Sequence, residues 1–298
     1  MSYEKGMTME VFMFPGQGSQ SRGMGGALFD EVPQYAGWEP EVDALLGYSM
    51  RRLCLEDPES VLGKTQYTQP ALYVVNALQY FKEMQGRGRP KYLAGHSVGE
   101  YNALQAGGAF DFITGLKLVR KRGELMSQAQ NGGMGAVVGL TVDQIQAVLR
   151  DQGLDGLDVA NYNAPTQTVL SGPLEDIKRA GPLMEKAGAK LFVPLPVSAA
   201  FHSRYMKDAA QAFDAFLAGF SFQPLAGQVL SNVTGSLYPM SAESTAAIRS
   251  LLVQQIASPV LWAPGVRYLV ARGASSFKEV GPGNVLTRLV QQITQYRP

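Results

Sequence analysis

The stretch Tyr92-Leu93-Ala94-Gly95-His96-Ser97-Val98-Gly99-Glu100 joins a short apolar run to a tight glycine turn, and the turn to a helical pattern through Ala106. Glycines at 95 and 99 permit a sharp strand-to-helix turn, which lifts the Ser97 hydroxyl above the edge of a sheet. The helix that follows would direct its positive dipole end and free backbone N–H groups at a reacting carbonyl. Gly-x-Ser-x-Gly alone also describes an ordinary glycine-rich turn. The strand before it and the helix after it favour a nucleophile.

Working outward, residues 11–14 are a second short apolar run, halted by Pro15-Gly16, and read as a buried strand entering a loop. Over residues 69–84, Leu72, Val75, Leu78 and Phe81 recur at helical spacing. Gly107-Gly108 closes the helix after the serine turn, and Asp111 can cap another that runs to about residue 130. The middle of the chain has a different texture. Strands are expected at 134–140, 157–162, 167–171 and 190–195, with helices at 141–149 and 174–187. Strand, helix, strand, strand, helix, strand is the ferredoxin-like order. Gly132-Gly133 before it and Pro194-Leu195-Pro196 after it would serve as hinges. The fold class expected is α/β: a large α/β-hydrolase-like domain with a parallel-sheet core at residues 1–130 and 199–298. A small ferredoxin-like domain is inserted at residues 131–198.

Composition narrows the chemistry. The 298 residues are 46% hydrophobic and 17% charged, an ordinary globular balance that does not suggest disorder. A net charge of +1 gives no electrostatic footprint for nucleic acid or a membrane surface. One cysteine, Cys54, leaves no internal disulfide framework, and with only two histidines a closed Cys/His zinc site cannot be built. The first ten residues carry Glu4, Lys5 and Glu10 and have no apolar core, so they do not read as a secretory signal. No apolar stretch approaches the roughly 20 residues needed to span a bilayer. A soluble, cytoplasmic protein is expected.

A serine nucleophile at neutral pH needs a general base, most often histidine. His96 directly precedes Ser97 on the tight turn, so its side chain should point away from the hydroxyl. His202 remains, in Ser198-Ala199-Ala200-Phe201-His202-Ser203. No acidic residue stands out as its partner, and a carbonyl oxygen could orient the ring instead, giving a Ser–His dyad. On the helix after Asp111, Lys117, Lys121, Glu124 and Gln128 form a polar face opposite Leu118, Val119, Leu125 and Met126. Arg122 falls on the apolar side, where an unpaired charge is prohibitive. A clamp for a substrate carboxylate, a structural ion pair and a snorkelling stem all satisfy that spacing. Gly16-Gln17-Gly18 makes a poor dinucleotide loop, since Ser21 stands where its third glycine belongs.

Six phrases then occur together in order: Phe14-Pro15-Gly16-Gln17-Gly18-Ser19-Gln20, Gly95-His96-Ser97-Val98-Gly99-Glu100, Lys121-Arg122-Gly123, Phe201-His202-Ser203, Ser231-Asn232-Val233-Thr234-Gly235 and Glu279-Val280-Gly281-Pro282-Gly283. Over essentially the whole chain this resembles the malonyl-CoA:acyl carrier protein transacylases. Gln69-Pro70-Ala71-Leu72-Tyr73 and Gly108-Ala109-Phe110-Asp111-Phe112 look most like the free-standing acyltransferases that serve modular polyketide synthases in trans. The resemblance implies that Ser97 is acylated with His202 as base, and that Arg122 holds the free carboxylate of malonyl. It implies an oxyanion hole from the backbone N–H groups of Gln17 and Val98, and a carbonyl oxygen of Gln255 that orients the histidine. Phe201 matches the pattern of malonyl-selective members; its ring would crowd a substituent on the substrate. Malonyl-CoA and a phosphopantetheinylated acyl carrier protein are the implied partners, with no metal or bound cofactor, and a monomer is expected. Related enzymes of polyketide pathways hydrolyse acyl groups from stalled carriers, and the resemblance suggests that these often lack the arginine. A catalytically dead docking module is a further alternative, and intact Ser97, His202 and Arg122 argue against it; a conventional α/β-hydrolase is weaker still, since no convincing acid stands between nucleophile and histidine.

Overall fold

The computed structural model describes residues 9–241 and 243–297. Residues 1–8, the bulk of the N-terminal stretch read above as no secretory signal, lie outside the described residues. Eight strands follow in chain order among the described residues: β1 (Glu10–Phe14), β2 (Tyr92–Gly95), β3 (Gly132–Val138), β4 (Asp158–Ala164), β5 (Gln167–Pro173), β6 (Leu191–Pro194), β7 (Gln228–Val229) and β8 (Ser276–Glu279).

Val11, Met13, Phe12 and Phe14 are all fully buried, as a strand covered on both faces requires. β1 accordingly sits inside a parallel sheet of order β7-β2-β1-β8. Phe12 and Phe14 face one apolar cluster while Val11 and Met13 face another. The first is filled by the helices Thr65–Glu83 and Phe112–Ser127, through Leu72, Tyr73, Leu116 and Val119. The second is filled by Trp262–Ala271 and Val285–Gln295, through Trp262, Leu269, Leu286 and Ile293.

The register pairs Phe14 with Gly95, so β1 and β2 end side by side. The loop beginning at Pro15 and the turn at Ser97 therefore meet at the carboxyl edge of the sheet, where open α/β sheets place their ligands. Gly99 makes that meeting possible. A Cβ there would collide with the carbonyl oxygen of Phe14, and one at Gly95 with the backbone of Gly99.

The second sheet is antiparallel, with order β4-β5-β3-β6 and helices Val142–Asp151 and Leu174–Lys186 between its strands, as the ferredoxin-like reading requires. Thr141 and Gln144 form a reciprocal capping box on the first of these helices. Gly132 and Gly133, read from sequence as a hinge, are instead the first residues of β3, paired with Pro173 and Gly172. The glycines hid the start of the strand because they carry no side chains to show alternation. Asn163 and Ala164, expected in a loop, likewise belong to β4, and the connection to β5 is only Pro165-Thr166. The helix capped by Asp111 ends at Ser127, and Asp111 Oδ1 accepts from the Thr114 N–H at 2.7 Å.

Gly99→Ala is expected to lower stability by about 1–3 kcal/mol, because its Cβ meets backbone that cannot rotate away. Gly37, exposed in the helix Pro33–Leu46 with open space around it, is the control. Gly37→Ala should be neutral or stabilise by up to ~1 kcal/mol, with both changes measured by urea unfolding.

Candidate active site

Ser97 sits at the tip of the turn after β2 with φ +53°, a left-handed conformation that costs a non-glycine residue about 1–2 kcal/mol. Hydrogen bonds on either side hold it there. The His96 N–H donates to Phe14 O at 3.0 Å. The Asn232 side chain accepts from the Ser97 N–H through Oδ1 and donates to Gly95 O through Nδ2, each at 2.7 Å. Asn232 thus clips the two sides of the turn together from the loop after β7.

Ser97 Oγ lies 2.8 Å from His202 Nε2, and His202 Nδ1 lies 2.8 Å from the backbone oxygen of Gln255. A carbonyl can only accept, so Nδ1 carries the proton and the lone pair of Nε2 faces the serine hydroxyl. His202 also has a positive φ of 58° and is 4% exposed. Burial, and then the nearby Arg122 charge, depress its pKa to about 3, so the resting imidazole is neutral. His96 turns to the other side of the turn, as expected, and its Nε2 meets Asn163 Oδ1 at 2.8 Å.

Arg122 is fully buried. Its NH1 donates to Gln69 Oε1 at 2.7 Å, and NH2 donates to Gln255 Oε1 at 3.0 Å and to Ser97 Oγ at 3.1 Å. Its guanidinium carbon stands 5.6 Å from the centroid of the Tyr101 ring. Among the described residues no carboxylate forms an ion pair with it. Of the readings open from sequence, the structural ion pair and the stem snorkelling to water are thereby set aside. A charged group with only neutral acceptors and one ring face is left poised beside the serine.

A cleft of about 270 Å³ opens over Ser97 and His202, with Arg122 buried behind the serine. Ser97, His202, Phe201 and Gln17 line it from the parallel-sheet side, and Met134 and Asn161 from the antiparallel sheet. Gln69 and Met126 also line it and stand against each other, Gln69 Nε2 lying 3.5 Å from Met126 Sδ. A neighbouring space of about 520 Å³ shares Gly63, Leu195, Pro196, Val197 and Phe201, and extends the cleft past Lys64 and Ser198. The backbone N–H groups of Gln17 and Val98 donate to no acceptor among the described residues, whereas that of Ser97 is taken by Asn232. Among the described residues no group of three or more His, Cys, Asp or Glu side chains is placed to hold a metal ion.

Every site residue singled out from sequence falls within this one assembly. Gln69, Glu100, Asn163, Asn232 and Tyr238 were not singled out. Glu100 is wholly buried and accepts from Tyr238 Oη at 2.7 Å, the Asn232 N–H at 3.2 Å and Gln255 Nε2. Burial pushes its pKa up to about 7, against the pull of these donors and of Arg122. Gln69 and Asn76 did carry a signal, as amides in an otherwise apolar helical run. Glu100 and Asn232 did not, because their partners lie more than a hundred residues away.

A strained serine on a strand-to-helix turn beside a cleft, with a neutral histidine at hydrogen-bond distance and backbone N–H groups left unpaired among the described residues, defines a serine acyl-transfer enzyme. The chain belongs to the acyl transferase domain family, whose model matches residues 11–296. It is 53% identical over 289 residues to the polyketide biosynthesis malonyl CoA-acyl carrier protein transacylase BaeC of Bacillus velezensis, covering 96% of each chain. The crystal structure of a malonyl CoA-acyl carrier protein transacylase from Burkholderia pseudomallei matches with a TM-score of 0.92 at 48% identity, over 98% of this chain and 100% of that one. A solved complex of a type II polyketide synthase acyl-carrier protein with its malonyl-transacylase contains a chain that matches with a TM-score of 0.89 at 35% identity, over 96% of this chain and 93% of that one.

The two buried titrating groups bear on stability in opposite directions. His202 has its folded pKa below its unfolded value of 6.5, so its contribution is present above 6.5 and lost as pH falls towards about 3. Glu100 has its folded pKa raised above 4.5, so its contribution is present below 4.5 and lost as pH rises through about 7. With only two histidines in the chain, imidazole NMR can follow each ring. The His202 signal of the free protein is expected not to titrate between pH 5 and 8; a midpoint near 6.5 would contradict its burial as a neutral base.

Proposed function

We infer that this chain is a malonyl-CoA:acyl carrier protein S-malonyltransferase of polyketide biosynthesis. The observation that carries the choice of acyl group is the buried Arg122 guanidinium, which touches Ser97 Oγ and has no carboxylate of the fold as its partner. A malonyl ester on Ser97 brings its own carboxylate into reach of that charge, and an acetyl ester brings none.

In the proposed cycle the Nε2 lone pair of His202 takes the Ser97 proton as Oγ attacks the thioester carbonyl. The imidazolium that forms is held by its Nδ1–H to Gln255 O. The tetrahedral oxyanion is received by the N–H groups of Gln17 and Val98, both left unpaired by the fold. The proton on His202 passes to the departing coenzyme A sulfur, leaving malonyl-Ser97. The phosphopantetheine thiol of the carrier then attacks with His202 again as base, and Ser97 recovers its proton. A carboxylate bound at Arg122 has a second effect. It offsets the smaller of the two effects that depress His202, the Arg122 charge, while burial, the larger, is unchanged, so the cognate substrate raises the basicity of the base in part.

Phe201, 7% exposed and lining the cleft, is assigned the discrimination against branched substrates, typically worth about 1–3 kcal/mol per methyl. The large catalytic part corresponds to residues 1–130 and 199–298, and the small part to 131–198. The enzyme is proposed to act as a cytoplasmic monomer without nucleic acid; no helix among the described residues is long and apolar enough to cross a membrane.

Intact-mass measurement after mixing with malonyl-CoA or acetyl-CoA tests this reading. A malonyl adduct is expected that is absent in Ser97→Ala and passes to a holo carrier protein. Arg122→Ala should reduce malonyl loading by roughly a hundredfold while changing acetyl loading little. Preferential acetylation followed by hydrolysis would instead identify an acyl hydrolase.

A further inference from the structure

Among the described residues the buried carboxyl group nearest the site is that of Glu100, ionised as pH rises through about 7, yet it does not touch Arg122. Between them stands the side-chain amide of Gln255, 1% exposed, on the helix Ser244–Ala257. Its Oε1 accepts from Arg122 NH2 at 3.0 Å, while its Nε2 donates to Glu100 and, at 3.0 Å, to Ser97 O. The orientation of this amide is forced. A guanidinium only donates, so Oε1 must face Arg122, and the NH2 group must then face the carboxylate and the Ser97 carbonyl, which both accept. Glu100 is meanwhile satisfied by Tyr238 and by the Asn232 N–H, which hold it in place without the arginine.

We propose that the Gln255 side chain is a specificity-determining spacer: it holds the Glu100 carboxylate one amide away from Arg122, so that the guanidinium keeps its charge for the carboxylate of the acyl group. This role is separate from that of the Gln255 backbone oxygen on His202. It rests on the reading of Arg122 given above. In a direct buried Arg–Glu pair the two charges would answer each other, and a substrate carboxylate would meet a neutral pair. The amide supplies a hydrogen bond to NH2 but no countercharge. Gln255 keeps one N–H of NH2, and the other, which points at Ser97 Oγ, turns to the substrate once acylation makes that oxygen a weak ester acceptor.

Isosteric changes separate the spacer from a merely structural hydrogen bond. Gln255→Glu places a carboxylate on Arg122 and keeps the backbone oxygen on His202. The ratio of malonyl to acetyl loading rates should fall roughly tenfold or more, the acetyl rate of the same variant absorbing any general loss of Ser97 reactivity. Glu100→Gln keeps the spacer and removes only the distant charge, so the wild-type ratio or a higher one is expected. The exchanged pair Glu100→Gln with Gln255→Glu restores one amide and one carboxylate to the network. It should keep the low ratio of Gln255→Glu, whereas a structural role alone requires recovery. The inference is overturned if Gln255→Glu, or the exchanged pair, loads malonyl and acetyl in the wild-type ratio. It is overturned equally if Glu100→Gln alone lowers the ratio tenfold, and that variant decides the matter should the other two not fold. Wild-type protein that shows no preference for malonyl would defeat the reading of Arg122 itself, a different outcome from preference present in the wild type and unmoved in the variants.

Discussion

The chain's active groups depend on one close approach: the ends of β1 and β2 run side by side with no side chain between Gly99 and the Phe14 carbonyl. That contact brings the N–H of Gln17, from the loop after β1, to the same edge as Ser97 and Val98. It also forces the serine into a left-handed conformation that isolated chain would abandon. The strain is held by Asn232 and by the pairing of His96 with Phe14, backbone and amide bonds in a buried setting where a lost partner is costly.

Around that turn the charged groups are arranged by what they cannot do. Arg122 cannot accept, so it draws amide oxygens from Gln69 and Gln255. Gln255 O cannot donate, so it fixes the tautomer of His202. Glu100 gathers three donors and is kept from the arginine by one of them. Each residue is uncomfortable alone in an apolar interior, and the set is consistent only in this arrangement. The histidine is less basic for it, through burial first and the Arg122 charge second.

Much of this was legible before any coordinate. Residues 11–14 and the turn at Gly95–Gly99 showed two strands and the proposed nucleophile because apolar runs and glycine turns are local signals. The ferredoxin-like order emerged from four strands and two helices in sequence, although Gly132 and Gly133 masked the start of the first strand. Arg122 declared itself by sitting on the wrong face of an amphipathic helix. What could not be read is what depends on distant partners. β7 has only two residues and β8 only four, and both are strands because β2 and β1 lie beside them. Glu100 stood in a quoted motif without a role; Tyr238 and Gln255, well over a hundred residues downstream, are what surround its buried carboxyl group.

The antiparallel sheet is tied to the body of the protein along its β4 edge. The Val260 N–H donates to Ala160 O at 2.8 Å, and the Tyr162 N–H to Val260 O at 2.9 Å, so Val260 acts as an extra rung of that sheet. Five residues earlier in the chain is the carbonyl that orients His202. A lid that swung freely would tear this rung and tug the catalytic ring out of line. Val260 thus couples the β4 edge to the carbonyl on His202, so that a shift of the antiparallel sheet would be felt at that ring.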